Sequence, residues 1–392
     1  MNSVQVNNIK KYITSIDWFL VIAVFITMAY GFLLVWSSTN SQRNQNVMII
    51  TQAAAMFIGI CAMFILSKMD YDQLTKYSRY LYVIGVMVLA LTLVIGSGDE
   101  VGNRSWIRIR ISSSATVGVQ PSEIVKIAFI LTIANLLEKY KENINKPKNM
   151  LILVLHFGVT FALILLAGDL GNNLIYACIF LGMCFVAGVS LWYFLGGAFV
   201  IAATSPLWWN NEIIMPHYRQ MRILAGFSPA SYPDSNWTYQ VNRSMQAIGS
   251  GGLTGRGYQN GFMTQNGRVP KQWTDFIFSA AGEEFGFLGA LLVLILLTVI
   301  IARIFYISRN ARNNVGSLIC VGVMSMFIAQ TVENIGMCLG RLPVIGVTLP
   351  FFSYGGSSIL SSLLGIGLVL SVNSRKHIYY FTREENFDAD DF

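Results

Sequence analysis

Long apolar runs separated by short polar gaps dominate this chain. A membrane-spanning helix needs about 20 mostly apolar residues. Nine segments meet or approach that length: 18–37, 47–67, 80–96, 121–137, 149–167, 172–189, 191–209, 315–339 and 356–372. A tenth, 276–302, is strongly apolar from Phe285 onward and carries Glu283 and Glu284 near its start. The first run, from Trp18 to Trp36, is too long for a signal-peptide core and has no convincing cleavage site. The pattern predicts an all-α polytopic membrane protein with about ten transmembrane helices, forming one membrane domain over residues 1–392. One gap is much longer than the rest. Residues 210–275, between spans seven and eight, form a polar loop with Trp, Tyr, Pro and Gly, while 1–16 and 373–392 are tails. No internal repeat is visible, so the inverted-repeat signature of many transporters is missing.

Composition supports this class. The chain is 54% hydrophobic and 12% charged, with a mean hydropathy of +0.55, against about a quarter charged in soluble domains. The net charge of +7 does not gather into one patch, so no nucleic-acid partner is expected; it reports topology. With the N-terminus inside, the inside segments hold fifteen lysines and arginines and the short outside loops five. That bias places both termini in the cytoplasm, and it puts loops 97–120, 168–171, 210–275 and 340–355 on the outer face. The inside loops are short and basic and carry no nucleotide-binding motif, so ATP-driven chemistry is not expected. The five cysteines lie in apolar stretches without metal-ligand spacing and read as small core residues. The three histidines do not cluster, so no metal site is assigned.

The unusual polar residues collect in the outer loops. In Gln120-Pro121-Ser122-Glu123-Ile124-Val125-Lys126, Pro121 suits a first helical turn and Glu123 suits the positive helix N-terminus. Glu123 and Lys126 share a face at i,i+3. They are either a local ion pair on a capped helix or a functional pair, since an ionisable group at membrane depth needs a partner or a wet cavity. Asp275, in Trp273-Thr274-Asp275, stands where the long loop re-enters the membrane. It is either an N-cap or a partly desolvated carboxylate suited to general-base work. At least one of Glu283 and Glu284 has to face protein. The run Ala247 to Gly257 lacks a P-loop ending; it is either a plain flexible loop or a tight turn whose backbone amides hold a phosphate. Asp169 is a turn residue or one more carboxylate on this face. Arg219, Arg222 and Arg243 either snorkel to headgroups or grip a pyrophosphate with their guanidinium forks. Two prolines and a Ser/Gly run between Gly340 and Ser358 interrupt the helix before the last span, which is tolerated at membrane depth when buried or lining a cavity.

Together these motifs resemble the SEDS family, comprising RodA, FtsW and the sporulation protein SpoVE. The blocks QPSEIVK, DLG, AIGSGGLTGRG, WTDFIFSAAGEEFGFLG, NIGM and LPFFSYGGSS occur in the family's order over almost the whole chain. The Glu-Glu-Phe-Gly-Phe run leans toward the RodA type. Trp273, Ser105-Trp106 and Arg341 depart from the usual residues, which bears on partner fit and regulation. The resemblance implies an inverting peptidoglycan glycosyltransferase in the bacterial cytoplasmic membrane. It would polymerise lipid II (a disaccharide peptide on undecaprenyl pyrophosphate) among membrane lipids, beside a class B penicillin-binding protein, in elongation, division or sporulation. It implies Asp275 as the base and Glu123 with Lys126 as a functional pair. The expected substrate-binding set is Arg219, Arg222, Arg243, Gln240, Ser250, Asp169, Ser353 and Ser357. A divalent cation could share the leaving-group charge, but no ligand set is specific enough to assign one. Two other classes stay open. A flippase should carry charges through the depth of the bundle rather than at its outer end. A pure scaffold would need no Asp275 at the loop border.

Overall fold

In a computed structural model of the chain, the described residues are 14–97, 104–110, 116–212, 215–228, 231–232 and 238–385. The acidic tail residues Asp388, Asp390 and Asp391 lie outside them. The helices in chain order are α1 (Trp18–Ser38), α2 (Gln45–Lys68), the short α3 (Tyr71–Lys76), α4 (Ser78–Ile95), α5 (Pro121–Tyr140), α6 (Pro147–Leu166), α7 (Leu170–Val186) and α8 (Leu191–Trp209). Then come α9 (His217–Phe227), α10 (Tyr239–Ser250), α11 (Phe262–Gln265), α12 (Ile277–Glu284), α13 (Gly286–Arg309), α14 (Asn314–Cys338) and α15 (Gly356–Glu385). Eight of these are long and apolar enough to cross a membrane, so the chain is a multi-pass membrane protein. The other two expected spans are α5, whose 20 residues include four charged ones, and α7, which is 17 residues long.

Local chemistry sets the helix ends. The Asp17 carboxylate accepts from Leu20 N at 3.0 Å to cap α1, and Asn313 Oδ1 accepts from Gly316 N at 2.9 Å to cap α14. Pro121 and Pro147 open α5 and α6, where a missing N–H costs nothing. The centre of the bundle is α15, buried at every residue from Gly365 through Val372. It packs most extensively on α2. Small residues let the two axes close: a Cβ on Gly59 would meet Leu363 at 2.5 Å, and one on Gly367 would meet Met63 O at 2.8 Å. At the rim, α8 buries none of its residues.

Three features differ from the sequence expectation. Span eight is not continuous. It divides at Phe285 into α12 and α13, and Gly286 turns the chain with a φ of +66°. A Cβ there would collide with the backbone of Gly255 and Leu253, so the junction requires glycine. The long loop contains three helices, α9, α10 and α11. Between α4 and α5 stands an antiparallel hairpin, β1 (Ile107–Arg110) and β2 (Thr116–Val119), with Arg108 opposite Gly118. The cysteines also divide. Cys184, Cys320 and Cys338 are buried, but Cys61 is exposed, because it lies on an apolar face of α2 that turns away from the bundle.

Candidate functional site

The site grows from the bundle end that carries residues 210–275, called the loop end below. At the start of α5, Lys126 Nζ donates to Glu123 Oε1 at 3.0 Å. Lys126 is 0% and Glu123 4% exposed. The second oxygen, Glu123 Oε2, is buried without a hydrogen-bond partner. Two charges enclosed at this depth are tolerable because each neutralises the other.

One turn nearer the loop end, Asp169 caps α7 by accepting from Asn172 N at 3.0 Å. Its other oxygen accepts from Gln120 Nε2 at 2.6 Å, Asn172 Nδ2 at 2.9 Å and Ser122 Oγ at 3.3 Å. This carboxylate therefore ties the head of α5 to the head of α7. Tyr176 OH adds a second tie, donating to Ser122 O at 2.8 Å. On the far side of Gln120, its backbone N–H donates to Ser357 Oγ at 3.0 Å, which joins the first turn of α15 to the same network.

The irregular segment between α14 and α15 connects this network to Asp275. Gly171 lies against it, and a Cβ there would fall 2.8 Å from Ile345 O. Gly346 has a φ of +76°, and a Cβ on it would stand 3.7 Å from Asp275 Oδ2. The backbone at 345–347 is thus a thin wall with the Asp169 turn on one side and the Asp275 carboxylate on the other. Asp275 is 9% exposed. It is not the N-cap of α12, because that helix begins two residues later, at Ile277, and its N-cap is Phe276. Ser353 is 2% exposed; its hydroxyl donates to Thr274 O at 2.6 Å and accepts from Leu349 N at 2.8 Å.

A small cleft opens beside Asp169. Leu89 and Thr92 of α4, Leu163, Ile164 and Ala167 at the end of α6, and Ser105 line it together with Ser122 and Asp169. Its lining is mostly apolar, with Thr92, Ser105, Ser122 and Asp169 as the polar members, and it has room for about one water molecule.

The remaining candidates sit around this centre. Arg222 lies one turn before Gly226 on α9, on the face that closes against Pro343. Arg219 is on the same helix; its side chain is outside the described part. Gln240 and Arg243 lie on α10. Arg243 donates to Gln246 Oε1 at 3.1 Å and its guanidinium lies 5.2 Å from the Tyr239 ring. Ser250 Oγ donates to Ala247 O at 2.9 Å within the same helix.

The glycine run has another task. Arg256 N and Gly257 N donate to Glu283 O and Glu284 O at 3.0 Å each, and Phe287 N and Leu288 N donate back to Gly252 O at 2.9 Å and Leu253 O at 3.1 Å. The run therefore plugs the break between α12 and α13 and satisfies its backbone. Those amides are spent there rather than offered to a phosphate. Both acidic neighbours face protein. Glu283 accepts from Met263 N at 2.7 Å and Thr264 N at 2.8 Å, while Glu284 accepts from Ser37 Oγ at 2.6 Å and Gln265 Nε2 at 2.8 Å. Among the described residues, no group of three or more His, Cys, Asp or Glu side chains is arranged to hold a metal ion.

Sequence reasoning did not single out Gln52 or Asn172, and it marked Asn334 only as part of the Asn-Ile-Gly-Met motif, without a role; these three amides hold the site's backbone and carboxylates. Gln52 carried a signal: a lone amide in an apolar helix marks backbone that needs a partner.

The molecule is thus a helical membrane protein whose polar groups converge at one end of the bundle. The model of the FtsW, RodA and SpoVE family, described as cell cycle proteins, matches residues 17–378, and the chain belongs to that family. It is 32% identical over 373 residues to stage V sporulation protein E of Bacillus subtilis, covering 92% of this chain and 97% of that one. It is 31% identical over 362 residues to peptidoglycan glycosyltransferase MrdB of Escherichia coli K12, covering 92% and 94%. A chain from a solved structure, titled as structural coordination of polymerization and crosslinking by a peptidoglycan synthase complex, superposes with a TM-score of 0.77 at 29% identity. That match covers 92% of this chain and 98% of the other.

Proposed function

We infer that this protein is a peptidoglycan glycosyltransferase that polymerises lipid II on the outer face of the bacterial cytoplasmic membrane. One observation carries the reading: in a chain of which 92% aligns with a named peptidoglycan glycosyltransferase, the buried Glu123–Lys126 pair follows directly on Ser122 of the Asp169 network, and the wall at Gly346 parts that network from Asp275. The basic bias of the sequence assigns the loop end to the outside.

In the reaction a sugar hydroxyl attacks an anomeric carbon, the bond from that carbon to the lipid pyrophosphate breaks, and one inversion converts an α-linked donor to a β-linked product. This needs one base, not the carboxylate pair of a retaining glycosidase. Asp275 takes the hydroxyl proton. Lys126, held by Glu123, together with Arg219 and Arg222 of α9, offsets the charge gathering on the leaving pyrophosphate. Lipid chains lie in apolar grooves between the spans, with the headgroups at the outer mouth. The partner is a class B penicillin-binding protein, in keeping with the similarity to a chain from a complex that couples polymerization to crosslinking.

The test is incubation of the purified protein with lipid II, with and without a cognate class B penicillin-binding protein. Glycan strands are the expected product; lipid movement across a vesicle without strands would support a flippase instead. Sidedness is checked separately by thiol labelling of intact cells. Thr254→Cys is expected to label from outside and Asn310→Cys after permeabilisation. Outside labelling at 310 would invert the topology.

A further inference from the structure

Three consecutive carbonyls ahead of α12 are gripped from outside: two by the segment that leads from α14 to α15, and the third by Asn334 of α14 itself. Trp273 O accepts from Tyr354 N at 2.7 Å, Thr274 O accepts from Ser353 Oγ at 2.6 Å, and Asp275 O accepts from Asn334 Nδ2 at 2.8 Å. None of the three is a contact within a helix or sheet, and the partners are 59 to 81 residues away in sequence. Asn334 is 0% exposed and also donates to Val347 O at 2.8 Å. One amide group therefore holds both the backbone of Asp275 and the backbone next to Gly346, the residue that faces the Asp275 carboxylate.

The gripping segment is itself anchored. Gln52 of α2 donates to Ser353 O at 3.3 Å and accepts from Gly355 N at 3.1 Å. Strain marks both sides of the grip. Lys271 and Phe351 hold φ values of +53° and +65°, a region that costs a side chain energy and persists when the surroundings enforce it. Phe351 is enforced by burial and by the Phe327 ring, 5.4 Å away.

We propose that Asn334 and Ser353 are positioning residues for the polymerisation reaction: they fix the Asp275 carboxylate against the Gly346 wall by holding the backbone on which it stands. This gives Ser353 a different task from substrate binding, because its hydroxyl is engaged on both sides by protein backbone. The inference rests on the reading of Asp275 as the base. A base has to be held within hydrogen-bond reach of the hydroxyl it deprotonates, and a misplacement of about 1 Å can cost on the order of 10²-fold in rate.

The test is a double-mutant cycle on lipid II polymerisation by the full-length protein with its partner, with amounts matched by folded protein. Asn334→Leu is expected to lower kcat by roughly 10- to 100-fold while KM for lipid II changes less than about 3-fold. In an Asp275→Asn background the same substitution is expected to remove no further activity, because its effect passes through a group already lost. An equal loss in both backgrounds, or a folded Asn334→Leu enzyme at wild-type kcat beside an inactive Asp275→Asn enzyme, overturns the grip and leaves the base reading intact. An Asp275→Asn enzyme at wild-type rate overturns the base and the grip together. If Asn334→Leu does not fold, Ser353→Ala is judged by the same cycle. Failure of both to fold makes the grip purely structural and ends the proposal.

Discussion

Lys126→Met is expected to destabilise the protein by about 3–5 kcal/mol, the usual effect of removing one partner from a buried ion pair. Methionine keeps the length and the apolar stem, so packing changes little. The loss is electrostatic: Glu123, 4% exposed, keeps a buried carboxylate whose only ammonium partner in the pair is gone. Glu123→Gln is expected to destabilise in the same direction. The double variant, with both charges removed, is expected to recover part of the loss, so that the two effects are far from additive. Thermal midpoints in one detergent, measured on all four proteins, check this. Single variants at the wild-type midpoint with additive effects would reduce the pair to decoration on a capped helix. The same four proteins assayed on lipid II are expected to show non-additivity in rate, since either single change leaves an unbalanced charge beneath the Asp169 network.

The spans were legible because lipid imposes a length. An apolar run of about 20 residues is hard to mistake, and even α5, with Glu123 and Lys126 inside it, reads as a helix from its Pro121 start. The break between α12 and α13 was not legible. Phe285-Gly286-Phe287 continues an apolar run, and what divides it is the glycine run from another part of the chain, whose amides satisfy Glu283 O and Glu284 O. The hairpin could have been read from the alternation in Ile107-Arg108-Ile109-Arg110. The helices of the long loop are harder, because their buried positions are few and include polar residues: α10 buries Val241, Ser244 and Ala247.

The site divides in the same way. Spacing alone brings Glu123 to Lys126, and the structure shows them in contact. The bond from Gln120 to Asp169 spans 49 residues and depends on how α5 packs on α7, which no local pattern encodes. Asn334 shows the limit most clearly. The Asn-Ile-Gly-Met motif is visible in the sequence, but the two carbonyls that Asn334 holds come from segments meeting only in the folded bundle.

Asp275 carries the central claim. Its substitution by Asn changes one atom, and the geometry makes this a selective test. The cap of α12 is Phe276, so no helix cap is lost. The backbone at 275 is held through its carbonyl by Asn334, a bond indifferent to the side chain. Folding, thermal midpoint and partner binding are therefore expected to survive Asp275→Asn. An amide cannot take up the hydroxyl proton, and general-base catalysis contributes about 10²–10⁴ in rate. The decisive measurement is the yield and length of glycan strands made from lipid II by wild-type and Asp275→Asn proteins at equal amounts of folded protein, each with its partner bound. A loss of about 10²-fold or more at an unchanged thermal midpoint is the expected result. Strands made at near wild-type rate would contradict it and leave the carboxylate without a part in the chemistry.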